Sequence, residues 1–319
     1  MLIESAWIKK RNSRRTIPSQ FYLSMIPDFT IVTASYNYGH FIRECLESVA
    51  NQKGATFEHL IFDGGSTDDT AEIVAQFPAV KFTQEPDEGM SDAINKGFAA
   101  AKGRWVMWLN ADDRLKPGAL KAVLDFVKHQ DEADVIYGGW DFIDKKGEHI
   151  RSMTLFPFDK PMLSYLGCYI GSTSAFYRNS TVIGEGHWLD KSYGYIMDGE
   201  FYNRLAALGK RFVYMHALLA DFRMHGMNLS FKHKDSSNAT EQLVLEKQHA
   251  ESIAIRRAYG WHKLTKPPWV WFTDGVIYLY FRIKKFVAKR FYKAFKTLID
   301  LPRETSKAES GPKEQAKNS

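Results

Sequence analysis

Hydrophobic positions along the chain alternate between short continuous apolar runs and stripes at helical spacing. Phe29-Thr-Ile-Val-Thr-Ala-Ser35 is β-branched and apolar and predicts a first strand, broken by Tyr36-Asn37-Tyr38-Gly39. Phe41, Ile42, Cys45, Leu46 and Val49 then recur on one helical stripe. Phe57 to Phe62 reads as a second strand closing on Asp63-Gly64-Gly65-Ser66-Thr67-Asp68. Ser66 is placed as N-cap of a helix carrying Ile73, Val74 and Phe77, with Asp68 and Asp69 in its first turn. Val80 to Thr83 is a short third strand, followed by a helix from about Ser91 to Ala101.

The run Trp105-Val-Met-Trp-Leu109 has no polar alternation and ends abruptly on Asn110-Ala111-Asp112-Asp113. An apolar run of this kind suits a central strand covered on both faces. Pro117 opens the next helix, whose buried stripe is Leu120, Val123, Leu124 and Val127, and Val135 to Tyr137 returns as a strand. This alternation predicts an α/β fold with a doubly wound, mostly parallel sheet.

Ligands of such sheets sit beyond the carboxyl ends of the strands, where Asp112 and Asp113 fall. Two adjacent carboxylates are costly to bring together unless a cation offsets their repulsion. Oxygen ligands favour Mg²⁺ or Mn²⁺, with substrate phosphates completing the shell. No G-x-G-x-x-G or G-x-x-x-x-G-K-[ST] is present, which disfavours a dinucleotide fold and a P-loop.

Composition narrows the picture further. With 319 residues, 45% of them hydrophobic, the chain can bury a substantial core, so wholesale disorder is excluded. A net charge of +6 permits anionic partners. The two cysteines, Cys45 and Cys168, make neither a disulfide framework nor a metal quartet, a pattern suited to a reducing cytoplasm. The first residues lack the apolar core of a signal peptide, and no run of about 18 apolar residues predicts a spanning helix.

Several blocks coincide in order and spacing. Thr30-Ile-Val-Thr-Ala-Ser-Tyr-Asn37, Phe62-Asp-Gly-Gly-Ser-Thr-Asp68, Asp87-Glu-Gly-Met-Ser-Asp-Ala-Ile-Asn-Lys-Gly97 and Leu109-Asn-Ala-Asp-Asp113 resemble the donor half of a family-2 glycosyltransferase of GT-A fold. Ile196-Met-Asp-Gly-Glu-Phe201 and Phe222-Arg-Met-His225 resemble its acceptor half, and the likeness runs from Asp28 to Ser230. It implies an inverting, metal-dependent transfer of one sugar from a nucleoside diphosphate sugar, UDP favoured, to a lipid-linked or glycan acceptor in bacterial cell-surface polysaccharide synthesis. It also implies donor contacts from Ala34, Tyr36, Asn37, Asp63, Asn110 and either Asp92 or Asp87, with Asp63 accepting from a pyrimidine N–H. Asp112, Asp113 and His225 would hold the divalent metal, with Arg223 or Lys96 adding positive charge. Asn110 stands where the family often has the first Asp of its D-x-D motif, leaving open which carboxylate contacts the metal. Asp198 matches the family's general base, and Glu200 is its rival; Asp198 also reads as N-cap of a helix Gly199–Leu208. No Q-x-x-R-W follows, so single addition is expected rather than processive synthesis.

The resulting division is a basic lead-in over 1–27 and a glycosyltransferase domain over 28–230, split into a donor half 28–115 and an acceptor half 116–230. A helical region covers 231–300, and a disordered tail 301–319. Within 269–300, aromatic and apolar residues interleave with Arg282, Lys284, Lys285, Lys289, Arg290, Lys293 and Lys296. That pattern predicts a helix in an anionic membrane interface, placing the enzyme peripherally on the inner face of the membrane. A helix packed on its own domain, a partner-binding helix and an RNA-binding helix are the alternatives for this segment. For the whole chain, the rivals are a nucleotidyltransferase and a non-catalytic glycan-binding or scaffold subunit. The first lacks a basic loop after the first strand, and the second rests on Asn110 alone.

Overall fold

A computed structural model describes residues 26–226, 228, 239–260 and single positions between 276 and 290. Most of the basic lead-in, the start of the aromatic segment at Trp269 and the tail beyond residue 290 lie outside the described residues. The chain runs β1 (Phe29–Ser35), α1 (Gly39–Ala50), β2 (Phe57–Asp63), α2 (Thr70–Val74), β3 (Val80–Gln84), α3 (Met90–Ala100) and β4 (Trp105–Trp108). It continues through β5 (Arg114–Leu115), α4 (Ala119–Val127), β6 (Val135–Ile143), β7 (His149–Met153), α5 (Lys160–Leu166) and β8 (Ala175–Arg178). It closes with α6 (Met197–Ala207), β9 (Phe212–Arg223) and α7 (Ala239–Tyr259).

The strands form one sheet in the order β3-β2-β1-β4-β8-β6-β9-β5, with β7 paired to β6. The pairs β3–β2, β2–β1, β1–β4 and β6–β9 are parallel, and β8 is wedged antiparallel between β4 and β6. The donor half is therefore the parallel, doubly wound sheet that the alternation predicts. The acceptor half departs from it, because β8 pairs antiparallel with both its neighbours and β5 pairs antiparallel with β9.

The buried central run divides between two cores because strand side chains alternate faces. Val32, Val106 and Trp108 join Ile94, Phe98, Tyr177 and Phe201 on one side. Phe29, Ile31, Met107 and Leu109 join Cys45, Val49, Leu120 and Val123 on the other. Cys45 is thus a buried small hydrophobe, its thiol pushed up in pKa mainly by burial. Gly97 of α3 lies against β1 so closely that an added Cβ would stand 2.2 Å from Val32 Cγ1.

Two predicted caps fall elsewhere. Asp69, not Ser66, sits at the N-cap of α2, while the Ser66 hydroxyl donates to Asp63 at 2.6 Å and accepts from Asn37 N–H at 2.7 Å. Helix α6 begins at Met197 with Ile196 at its N-cap, so Asp198 lies inside the first turn.

Candidate active site

The carboxyl ends of β1 and β4 open into one cavity of about 210 Å³. From the donor half, Ala34, Tyr38, Met90, Trp108, Asn110 and Asp112 line it. From the acceptor half come Trp140, Tyr169, Gly171 and Asp198 among others. Of the predicted site residues, the fold brings Ala34, Asn110, Asp112 and Asp198 to this common space.

The Asn110–Asp113 turn presents its two carboxylates differently. Asp113 is 0% exposed; its Oδ1 accepts from Arg223 N–H at 2.9 Å and its Oδ2 from Asn110 Nδ2 at 2.8 Å. Burial first, then the Asp112 charge, raises its pKa well above the usual carboxylate range. Asp113 therefore faces inward and does not fit a direct metal contact. Asp112 lines the cavity, and its Oδ2 lies 2.7 Å from His225 Nε2 and 3.3 Å from Asn228 Nδ2. Asp112 and His225 fit the protein share of a Mg²⁺ or Mn²⁺ shell in which substrate phosphates supply the remaining oxygens. Among the described residues, no group of three His, Cys, Asp or Glu could hold a metal unaided.

Arg223 is not a free cation for the diphosphate. Its side chain is wholly buried, donating from Nε to Asp112 O at 2.9 Å and from Nη2 to Glu44 Oε2 at 2.6 Å, over the Phe41 ring. Nη1 reaches the Lys145 carbonyl at 3.1 Å. Arg223 thus fixes the Asp112 turn to α1 and to the β6–β7 hairpin. Lys96 pairs with Glu85 at 2.9 Å and Asp92 at 3.5 Å and does not line the cavity.

The loops after β1 and β2 are stitched together. Asn37 takes a left-handed φ of 58°, which Asn tolerates better than most residues, and its Oδ1 accepts from Thr67 N–H at 2.9 Å. Asp63 is 1% exposed and accepts from Gly65 N–H, Ser66 N–H, Ser66 Oγ and Gln84 Nε2. It shapes this loop, and Tyr36 stands beside it 61% exposed. Asp92 is turned to Lys191 at 3.1 Å, and Asp87 accepts from Gly89 N–H at 2.8 Å. Asp63, Tyr36, Asn37, Asp92 and Asp87 do not line the cavity.

On the acceptor side, Asp198 is half-buried, and its Oδ1 accepts from Gly199 N–H at 2.7 Å. Burial pushes its pKa up to about 6, against the Gly199 N–H and Cys168 thiol hydrogen bonds that pull it down. Glu200, the rival base, is 3% exposed and fully engaged: Arg204 grips both of its oxygens at 2.8 and 3.0 Å, and Tyr259 donates to Oε1 at 2.9 Å. Geometry therefore separates the two acids.

Sequence reasoning missed Glu44, Asn228 and Glu251. Asn228 alone carried a local signal, sitting three residues beyond His225 and accepting from its N–H at 3.0 Å. Glu44 and Glu251 are acids on helix surfaces, indistinguishable by pattern from solvated charges.

Known proteins agree with this architecture. The PGL/p-HBAD biosynthesis glycosyltransferase of Mycobacterium tuberculosis is 29% identical over 209 residues, covering 63% of this chain and 78% of its own. The chondroitin synthase of Escherichia coli is 27% identical over 219 residues, 67% of this chain and 31% of that one. Among solved structures, S. aureus TarS 1-349 in complex with UDP-GlcNAc superposes with a TM-score of 0.54 at 16% identity, covering 80% of this chain and 79% of that one. A mannosyltransferase from Pyrobaculum calidifontis in complex with GDP-Man and Mn²⁺ gives 0.50 at 15% identity, covering 86% and 81%. These likenesses identify the fold as GT-A. The glycosyl transferase family 2 model matches residues 30–194, and the chain belongs to that family.

Proposed function

We propose that the protein transfers one sugar, with inversion, from a nucleoside diphosphate sugar to a hydroxyl of a lipid-linked or glycan acceptor. The observation that carries this reading is the single cavity holding Asp112 on its donor side and Asp198, with a pKa near 6, on its acceptor side. An aspartate of that pKa is mostly ionised at neutral pH yet a stronger base than an ordinary carboxylate. Asp198 takes the proton of the acceptor hydroxyl while that oxygen bonds to the anomeric carbon. The bond from that carbon to the diphosphate oxygen breaks on the opposite face, and the diphosphate leaves with the electron pair. Attack opposite the departing bond inverts the configuration.

Asp112 and His225 would hold a divalent cation, which when bound offsets the charge growing on the diphosphate. Trp108, Trp140 and Tyr169 wall the cavity with aromatic surface that excludes water and suits sugar faces. Ala34 on the cavity wall, with the exposed ring of Tyr36 two residues on, would take the nucleoside. UDP is the favoured carrier, supported by the TarS complex, and GDP is kept as the alternative by the mannosyltransferase complex. The relatives' names, a PGL/p-HBAD biosynthesis glycosyltransferase and a chondroitin synthase, support a glycan acceptor, and the lipid-linked alternative rests on the sequence resemblance.

Membrane association belongs to the same proposal. Val276, Leu279, Tyr280, Ile283, Phe286 and Val287 are helical and exposed, and their spacing puts them on one stripe. Arg282 and Arg290 accompany them, favouring an anionic lipid surface on the inner face of the membrane, while Lys284 pairs with Asp159 on the domain. Among the described residues, no helix is long and apolar enough to cross a membrane.

Calorimetric titration of UDP, GDP and dTDP, with and without Mn²⁺, tests the donor site. Mn²⁺-dependent binding of one nucleotide, lost in Asp112→Asn, is the expected result. Folded protein that binds none of the three would overturn the reading.

A further inference from the structure

The candidate base Asp198 lies in the first turn of α6, so the backbone leading into that helix sets where its carboxylate stands. Helix α6 begins without a side-chain cap at its N-terminus. The N–H groups of the three residues that lead into it need an acceptor, and an anionic one also suits the positive end of the helix. Helix α7 supplies one. Glu251 Oε1 accepts from Gly194 N–H at 2.9 Å, and its Oε2 accepts from Tyr195 N–H at 3.1 Å and Ile196 N–H at 3.0 Å. Three consecutive amides thus converge on one carboxylate, as backbone N–H groups do around a bound anion. Charge-assisted bonds of this type are about twice as strong as neutral ones.

Two further contacts set α7 against α6. The Ile255 side chain, 5% exposed, lies against Gly199, the residue after Asp198. One turn on, Tyr259 donates to Glu200, completing the Glu200–Arg204 pair. Tyr195, held by Glu251, and Asp198 both line the cavity.

We infer that Glu251 is a positioning residue for the transfer reaction: it clamps the 194–196 backbone and thereby fixes Asp198 against the acceptor hydroxyl. This inference rests on Asp198 acting as the base. Glutamine at 251 would turn an N–H₂ donor toward backbone donors, while aspartate keeps the charge on a shorter arm. In Glu251→Gln, kcat falls by about tenfold to a hundredfold, the scale set by a displacement on the order of 1 Å. The donor half is held by other contacts, so donor KM and nucleotide affinity stay at the wild-type value. Glu251→Asp restores part of kcat.

The clamp itself is read separately by hydrogen exchange at Gly194, Tyr195 and Ile196. These amides exchange about tenfold faster or more in Glu251→Gln, with the core strands unchanged. Unaltered exchange at the three amides overturns the clamp whatever the activity. Faster exchange with unchanged kcat overturns the positioning role, as does donor affinity falling in step with kcat. Exchange is measured without substrate, so a wild type that binds no nucleotide refutes the donor-site reading and not the clamp.

Discussion

Nε2 of His225 lies 2.7 Å from Oδ2 of Asp112, two side chains separated by 113 residues. The imidazole side chain is 0% exposed and its ring centre is 4.9 Å from that of Phe41, so it is held in place before any ligand arrives. A preset ring of this kind can join Asp112 in gripping a cation without first losing much rotational freedom. His225→Ala is expected to weaken Mn²⁺-supported nucleotide binding by about tenfold to a hundredfold. Binding measured in chelator should change little, because the ring then has no cation to hold. Calorimetry in the two conditions reads both values. Equal losses with and without Mn²⁺ would mean that His225 acts only by packing.

Asp198 carries a pH signature in both rate and stability. Its folded pKa is raised from 3.8 to about 6, so the fold favours the protonated form. As a base it must be ionised, and kcat/KM should fall about tenfold per pH unit below about 6. Stability runs the other way. The contribution from this group is fully present below the unfolded value near 3.8 and is lost as pH rises through about 6. Allowing for solvent screening at a half-buried carboxylate, that loss is about 1–2 kcal/mol at neutral pH. Asp198→Asn should therefore lower transfer by about 10²–10⁴-fold and still raise Tm by a few degrees at pH 7. At pH 4 the gain in Tm should vanish. A variant less stable than wild type at pH 7 would contradict the assignment of burial as the cause of the shift.

The donor half was legible because each of its elements carries one periodic signal. The Trp105–Leu109 run, the stripe from Phe41 to Val49 and the acidic turn at Asp112 could each be assigned from local pattern alone. The acceptor half was not. Ala175–Arg178 and Phe212–Arg223 are strands because they pair with β4, β6 and β5, and tertiary pairing leaves no mark on so short a window as 175–178. Asp113 and Arg223 show the same limit at the site. Their residue types suggested a metal ligand and a phosphate cation, but which way a side chain turns depends on distant partners, Glu44 for Arg223 and Arg223 itself for Asp113. Resemblance favoured Asp198 over its rival Glu200, but the engagement of Glu200 by Arg204 and Tyr259 arises only through folding.

Glu200 offers the complementary test. Its carboxylate is buried and held by Arg204 and Tyr259, so removing the charge leaves Arg204 without its buried partner. Breaking one side of such a pair costs about 3–5 kcal/mol. Glu200→Gln keeps the shape and part of the hydrogen bonding, so about 2–3 kcal/mol is expected. Denaturant unfolding measures that loss. In protein still folded under assay conditions, kcat should stay within about threefold of wild type, because the group does not reach the acceptor. A hundredfold fall in kcat with unchanged stability would return the base role to Glu200.

Gly97 sets two opposing effects against each other. Alanine in the middle of α3 should gain about 1 kcal/mol from helix propensity. Its Cβ, however, would meet Val32 Cγ1 at 2.2 Å, and Val32 is fixed on β1 with 0% exposure. Overpacking of a rigid core costs about 1–3 kcal/mol, so Gly97→Ala should be destabilising by about 1–2 kcal/mol net. Val32→Ala alone should cost about 1–3 kcal/mol through its cavity. Combined, the two should be less harmful than their sum, since the new methyl fills the space that Val32 vacates. Additive losses would show that α3 shifts away from β1 instead of clashing with it.

The stripe on the helix around residue 280 makes a prediction that salt and charge can separate. Ile283 and Phe286 are 55% and 65% exposed, large apolar side chains whose burial in a lipid interface would each contribute about 1.5–3 kcal/mol. Arg282 and Arg290 add about 1 kcal/mol each near an anionic leaflet, whereas Lys284 is paired with Asp159 of the domain. Wild-type protein should sediment with vesicles of phosphatidylglycerol and phosphatidylcholine and bind more weakly to phosphatidylcholine alone. Ile283→Glu with Phe286→Glu should lower binding to both by about a hundredfold or more, and added salt should not restore it. Arg282→Gln with Arg290→Gln should lower only the anionic-vesicle binding, and added salt should narrow the difference from wild type. Vesicle binding that survives the double glutamate variant would assign the stripe to packing on protein, and the membrane reading would fall with it.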